Sequence, residues 1–333
     1  MKQHEESNRV DMLAVARVAQ GVDGAGVQPT GSLKVIAPAK VNLFLDVGAR
    51  RADGYHEVVS IMHALTLHDV LYLRTRPGAH EPGAGLDIEL TCCACEGLPE
   101  LDVDAEHNIV VRAARALARR IGRAGDETLS IRLEKHIPAQ AGLGGGSADA
   151  AAALVGCAQL WGLSADDERV EQTARELGAD VPFFLHGGCA CLTGAGDEFS
   201  HTLSPMKGFV VLVKPDGGVS TPQAYRAFDE APVRIDAVDA VRARAARDAV
   251  EVPLRNNLAP ASESLMEQLA SMRAWLAERL GSDAVLLAGS GAATFALCDS
   301  FAQAGRIASE AQALGWWARA TTFGPVRAAV VPD

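Results

Sequence analysis

A run of glycines that empties into an alanine-rich helix, AGLGGGSADAAAAL from Ala141 to Leu154, is the stretch of this 333-residue chain best suited to hold phosphate. The first backbone N–H groups of a helix have no partner inside it, and the aligned peptide dipoles add positive potential at the same end. Gly142, Gly144, Gly145 and Gly146, with Leu143 set among them, carry no side chain that would hold a phosphate off the backbone. Ser147 stands where an N-cap hydroxyl can satisfy a backbone donor or ligate a Mg²⁺ held between phosphates. The run is neither of the common phosphate loops. It lacks a Gly-Lys-Ser/Thr ending, and Ser147 occupies the place of the last glycine in the dinucleotide fingerprint. A flexible loop before an ordinary helix is the plain alternative, and other segments must decide.

The elements around this run read as a mixture of strands and helices. Leu33 to Ile36 begins the ordered part, with two short apolar strands around Pro38, a polar loop over 48–56 and further strand-like runs from Val58 to Leu73. Val110, Ala114, Leu117 and Ile121 recur at helical spacing, and Leu129, Ile131 and Leu133 alternate as in a strand. Ser164 and Asp167 have the spacing of a capping box, opening a helix that stops at Gly178. Farther on, Phe209 to Val213 predicts a strand, Leu265, Leu269, Met272, Leu276 and Leu280 line a helix, strands follow at 284–288 and 293–297, then a helix at 301–314 and a strand near 326–331. Irregular alternation of this kind predicts an α+β fold in two domains. Their expected bounds are 31–192 and 193–333, after a functionless extension over residues 1–30 that contains a weakly amphipathic piece from Met12 to Val18.

Composition narrows the class. Hydrophobic residues make up 48% and charged residues 22%, as in globular proteins. With 31 basic and 42 acidic side chains the net charge is −11, which disfavours nucleic acid and requires a local basic patch for any anionic substrate. No uninterrupted apolar run reaches the roughly 18 residues of a membrane span, and the polar start MKQHEESNRVD lacks a secretory signal, so a cytoplasmic protein is expected. Of the seven cysteines, Cys92 and Cys95 form a C-x-x-C around Cys93 without a matching second pair, and Cys189 and Cys191 lie two apart; reduced thiols are the expectation.

Three glycine-bearing segments stand out: PAKVNLFL with its neighbouring RADGYHEV, the run above, and AGSGAATFAL over 288–297. Together they resemble the superfamily of galactokinase, homoserine kinase, mevalonate kinase and phosphomevalonate kinase, the GHMP kinases. Within it, RADGYH and LGADVPFF resemble the 4-diphosphocytidyl-2-C-methyl-D-erythritol kinases, over about residues 33–331. The resemblance implies a two-domain GHMP kinase fold, its N-terminal domain like domain 2 of ribosomal protein S5 and its C-terminal domain a ferredoxin-like α/β unit. It also implies ATP with Mg²⁺ and phosphorylation of the tertiary 2-hydroxyl of 4-diphosphocytidyl-2-C-methyl-D-erythritol, a small-molecule substrate, in the non-mevalonate route to isoprenoids. No nucleic acid, membrane or obligate protein partner is expected.

Residue by residue, the resemblance makes Asp180 the base that takes the substrate proton and Lys40 the lysine beside it. A lysine at about 4–6 Å would keep the carboxylate ionised and meet the developing charge. It assigns the triphosphate to Gly142 through Ser147, adenine to Asn108 and Lys135, the cytosine side to Tyr55 and His56, and a stacking face to Tyr225. Asn42, two residues beyond Lys40, should share its side of a strand and reach the substrate, while Gly289, Ser290 and Gly291 let the backbone approach the substrate diphosphate. Read without the resemblance, Asn108 is a helix cap, Lys135 a solvated lysine and His56 a loop histidine. Asp149 departs from the small polar residue usual there, facing either solvent or Mg²⁺. Competing readings are a superfamily kinase for another alcohol, which would not need a cytosine clamp, and a binding protein that has lost the chemistry.

Overall fold

A computed structural model describes residues 32–77, 86–95, 97–99, 105–123 and 126–332. The extension expected over 1–30, with Met12 to Val18, lies outside them. The first two strands, β1 (Leu33–Arg50) and β2 (His56–Pro77), form a long antiparallel pair. Two short strands around Pro38 were the expectation, yet β1 runs straight through it. The register with β2 shifts between Pro38 and Lys40, so a bulge absorbs the missing proline N–H, and the Lys40 N–H turns to Leu143 O at 2.9 Å. A bulge thus ties the lysine's backbone to the glycine loop.

β3 (Leu86–Ala94) lies parallel to β4 (Glu127–Lys135), joined by the crossover helix α1 (Ile109–Arg120), whose N-cap Asn108 accepts from Val110 N. The glycine run opens α2 (Gly145–Leu160), which is buried on all sides from Ala148 to Ala158, as an alanine-rich helix without a polar face should be. The next helix, α3 (Glu168–Leu177), is capped by Asp167 and not by Ser164. Asp167 and Ser164 each accept from the amide two residues ahead, so a turn comes before the cap. Gly178 ends it, and α4 (Val181–His186), β5 (Cys189–Thr193) and β6 (Glu198–Leu203) follow.

The remainder comprises β7 (Phe209–Lys214), α5 (Thr221–Glu230), α6 (Ala237–Ala245), β8 (Arg255–Asn256), α7 (Ala259–Leu265), α8 (Glu267–Leu280), β9 (Val285–Leu287), β10 (Thr294–Cys298), α9 (Phe301–Ala313), β11 (Trp317–Thr322) and β12 (Ala329–Val331). The helix expected from Leu265 onward breaks at Met266, whose extended backbone separates α7 from α8, leaving Leu265 exposed and Leu269, Met272 and Leu276 buried. Order β12-β1-β2-β4-β3, with β5, β6 and β8 attached, describes the first sheet, and β11-β7-β10-β9 the second. A cut between 192 and 193 falls inside β5, whose partner β6 lies wholly beyond it, and β8 and β12 return from the C-terminal half to β1.

Burial follows layers. Val35, Leu71 and Leu133 pack with α1 and α2 on one side of the first sheet; Leu43, Phe44, Ile61, Leu212 and Phe295 form a core between the sheets; Val211, Ala296, Leu276 and Ile307 pack the helices onto the second. Among the described residues all seven cysteines are free, and no helix is long and apolar enough to cross a membrane.

Candidate active site

The glycine run, the β1 lysine and the start of α4 meet at one cleft. It is lined by Lys40, Asn42, Ser60, Gly142, Gly144, Asp180, Thr221, Tyr225, Gly289 and Ser290, with Leu45, Val58, Met62 and Leu258 forming an apolar flank. Lys40 is the only basic residue among those lining it. Asp180 sits at the N-cap position of α4 with helical backbone angles, and its side chain caps nothing. Its carboxylate is therefore left to the cleft, 3.7 Å from Lys40 Nζ and 31% exposed. Lys40 Nζ also donates to Asn42 Oδ1 at 2.7 Å, and Asn42 Nδ2 donates to Ser60 Oγ at 2.8 Å, so the lysine is aimed by a chain reaching into β2. Burial pushes the Lys40 ammonium below its ordinary value, with Asp180 pulling the other way.

Why the loop needs glycine is visible at two positions. Gly142 has φ +73°, and a Cβ there would stand 1.9 Å from Ala288 O. Gly144 has φ +73° as well, with Phe184 Cζ 2.6 Å and Lys40 Cγ 3.0 Å from the place of its missing Cβ. Gly144, not Ser147, is the N-cap, because the left-handed turn comes before the helix and puts Ser147 inside its first turn. The first backbone bond closing α2 runs from Ala148 N to Gly144 O, so the amides of Gly145, Gly146 and Ser147 precede it. The third glycine segment docks on the start of the glycine run through Ala292 N to Gln140 O and Ala293 N to Ala141 O, both 3.0 Å.

Polar groups not singled out from sequence hold that segment. Asn256 Nδ2 donates to Leu287 O and Gly289 O, Ser262 Oγ to Ser290 O, and Thr221 Oγ1 lies 2.8 Å from Ser290 Oγ. The adjacent Asn256 and Asn257 within an apolar stretch were the available signal, since buried amides must find partners.

The remaining expected residues divide. His56 is buried against Tyr225, ring centroids 5.1 Å apart, while Tyr55 beside it is 66% exposed and makes no ring contact among the described residues. Burial, followed by the charge of Asp180, pushes the Tyr225 phenol up to about 12. Asn108 and Lys135 lie off the cleft's lining. Lys135 is not solvated: its ammonium is buried between Asp69 and Asp149, 2.5 Å from Asp149 Oδ2, and these carboxylates outweigh burial and hold its pKa up. Asp149 accordingly faces neither solvent nor the loop's open side. Burial drives its carboxyl well above the usual range against the pull of Lys135, and its Oδ1 has no hydrogen-bond partner among the described residues. Gly291, next to Ser290 and close to Gly142, is not itself among the lining residues, and its α-carbon faces Leu287.

Comparison with known proteins places the chain in a family. A family model for the N-terminal domain of GHMP kinases matches residues 108–188, and one for their C-terminal domain matches 237–315. A 4-diphosphocytidyl-2-C-methyl-D-erythritol kinase of Salinispora tropica is 40% identical over 312 residues, 90% of this chain and 94% of that one. The chain belongs to this kinase family. A solved 4-(cytidine 5'-diphospho)-2C-methyl-D-erythritol kinase superposes with TM-score 0.68 at 32% identity, covering 88% of this chain and 99% of its own. The homoserine kinase of Cytophaga hutchinsonii, at TM-score 0.62 and 21% identity, shares the fold. The GHMP fold expected from the three glycine segments is thus the one found, and the family's activity is small-molecule phosphoryl transfer with ATP as donor.

Proposed function

We infer that the chain transfers the γ-phosphoryl group of ATP to the 2-hydroxyl of 4-diphosphocytidyl-2-C-methyl-D-erythritol. The observation that carries this reading is the approach of Lys40 and Asp180 to 3.7 Å beside Gly142 and Gly144. Phosphoryl transfer gives a protein little to bond covalently, so positioning and charge stabilisation do most of the work. A tertiary alcohol is crowded and weakly acidic, which raises the demand on both.

Asp180 accepts the hydroxyl proton as the substrate oxygen bonds to the γ-phosphorus and the bond to the β-phosphate oxygen breaks, releasing ADP. Lys40, donating also to Asn42, keeps positive charge where the alkoxide develops. The amides of Gly145, Gly146 and Ser147 receive the phosphates. Gly146 has nothing within 4 Å of where its Cβ would be, so the backbone there is open to a ligand. The Ser147 hydroxyl, half-exposed and uncommitted to a cap, suits Mg²⁺, which when bound neutralises phosphate charge. At the adenine end, Asn108 Oδ1 is spent on Val110 N, while Nδ2, whose contact among the described residues is Cys92 Sγ at 3.9 Å, is available to a base. Lys135 supports this end from beneath α2. His56 and Tyr225 form the cytosine side, with Tyr55 poised at its rim.

Purified protein should consume ATP only when the cytidyl substrate is present. Asp180→Asn should lower kcat by roughly 10²–10⁴, the range of general-base catalysis, with the ATP dissociation constant unchanged. Full turnover by that variant would remove the assigned base.

A further inference from the structure

His56 is held by one helix in three ways. Tyr225, Phe228 and Asp229 lie on the same face of α5, at positions i, i+3 and i+4. The ring of Tyr225 is tilted against the imidazole, Phe228 meets it edge-on at 6.1 Å, and Asp229 Oδ1 lies 2.7 Å from Nε2. A carboxylate can only accept, so the proton in this bond belongs to Nε2. Nδ1 then has no partner among the described residues and, in the neutral ring, carries the lone pair.

We propose that Asp229 is a specificity-determining positioning residue: by holding the Nε2–H form of His56 it presents Nδ1 as a hydrogen-bond acceptor to the pyrimidine. This rests on the reading of the cleft as a cytidyl site. Cytosine offers an exocyclic amine, which donates to such an acceptor. Uracil has a carbonyl oxygen in that place, and two facing acceptors repel. The discrimination therefore originates in the C-terminal half of the chain, on a residue that need not touch the base. Asp229 is 36% exposed at its side chain, so its loss should leave folding nearly intact.

The test uses the full chain with a saturating non-hydrolysable ATP analogue, titrated calorimetrically with CDP and with UDP. The unaltered chain should prefer CDP by about tenfold or more, the scale set by one polar group left facing a wrong partner. Asp229→Asn offers Nε2 either a donor or an acceptor, releasing the tautomer, and should cut the preference to within about threefold. In turnover the same variant should raise KM for the cytidyl substrate about tenfold while kcat moves less than about twofold, and Asp229→Glu should recover most of the preference. Undiminished CDP preference in Asp229→Asn would overturn the proposal and leave the cytidyl reading standing. Indifference of the unaltered chain to CDP would overturn the reading beneath it.

Discussion

Lys40 is charged and buried, two conditions that oppose stability and suit chemistry, and its partly exposed partner Asp180 offsets them only in part. Its folded-state pKa lies below 10.5, so between that value and 10.5 the unfolded chain binds the extra proton and Lys40 weakens folding less as pH rises. Two outcomes are expected. Lys40→Met should lower kcat/KM by roughly 10²–10³ while leaving the thermal midpoint equal or higher, measured by steady-state kinetics and thermal unfolding. In the unaltered enzyme, kcat/KM should fall along a basic limb beginning below pH 10.5, and Lys40→Arg should move that limb upward whatever activity it keeps. Lys135 behaves oppositely, because its two carboxylates stabilise the ammonium. Lys135→Met should destabilise by about 3–5 kcal/mol in urea unfolding, because it leaves two buried carboxylates without their counter-ion. Asp149 could not be placed from sequence because its partners, Asp69 on β2 and Lys135 on β4, come together only through strand pairing.

Within the glycine loop, each residue serves either the fold or the ligand, and the space around it tells which. Gly144 is needed for folding: its left-handed backbone and the ring of Phe184 leave no room for a methyl group. Gly144→Ala should destabilise by about 1–3 kcal/mol and pull the loop off Lys40. Gly146 faces open space, so Gly146→Ala should stabilise α2 by about 0.5–1 kcal/mol yet weaken ATP binding, as read by chemical denaturation and calorimetry. Equal effects of both variants on stability would show that the loop is shaped by packing alone. Most elements were legible from periodicity, α1, β4, β7, α8 and α9 among them. What escaped was nonlocal: the bulge that carries β1 past Pro38 depends on Leu143 O, and the break at Met266 has no proline or glycine to announce it.

On the scale of the molecule, the site exists only because two sheets stack. Lys40 and Asn42 come from the first sheet, while Tyr225, Gly289 and Ser290 belong to the half built around the second. Motif resemblance named these residues, but their convergence rests on seams that no local pattern announces, and His63 is one of them. It lies on β2, buried in the core between the sheets, its ring 4.6 Å from Phe323. Nδ1 donates to Ala64 O at 2.8 Å and Nε2 accepts from Met206 N at 3.0 Å, so the neutral ring satisfies both sides and a second proton would remove the acceptor Met206 needs. Burial accordingly lowers its pKa from 6.5 to about 4. Between those values the unfolded chain takes up a proton that the folded chain refuses, so this contribution is complete above pH 6.5 and is lost as pH falls toward 4. The loss amounts to about 3 kcal/mol. Urea unfolding of the unaltered chain and of His63→Gln at successive pH values isolates it. A glutamine side chain does not titrate, so the stability difference between the two should shrink by that amount from about pH 7 to about pH 4, even though the variant starts less stable. A constant difference would mean that the seam tolerates a charged imidazole and that acid loosens the two halves somewhere else.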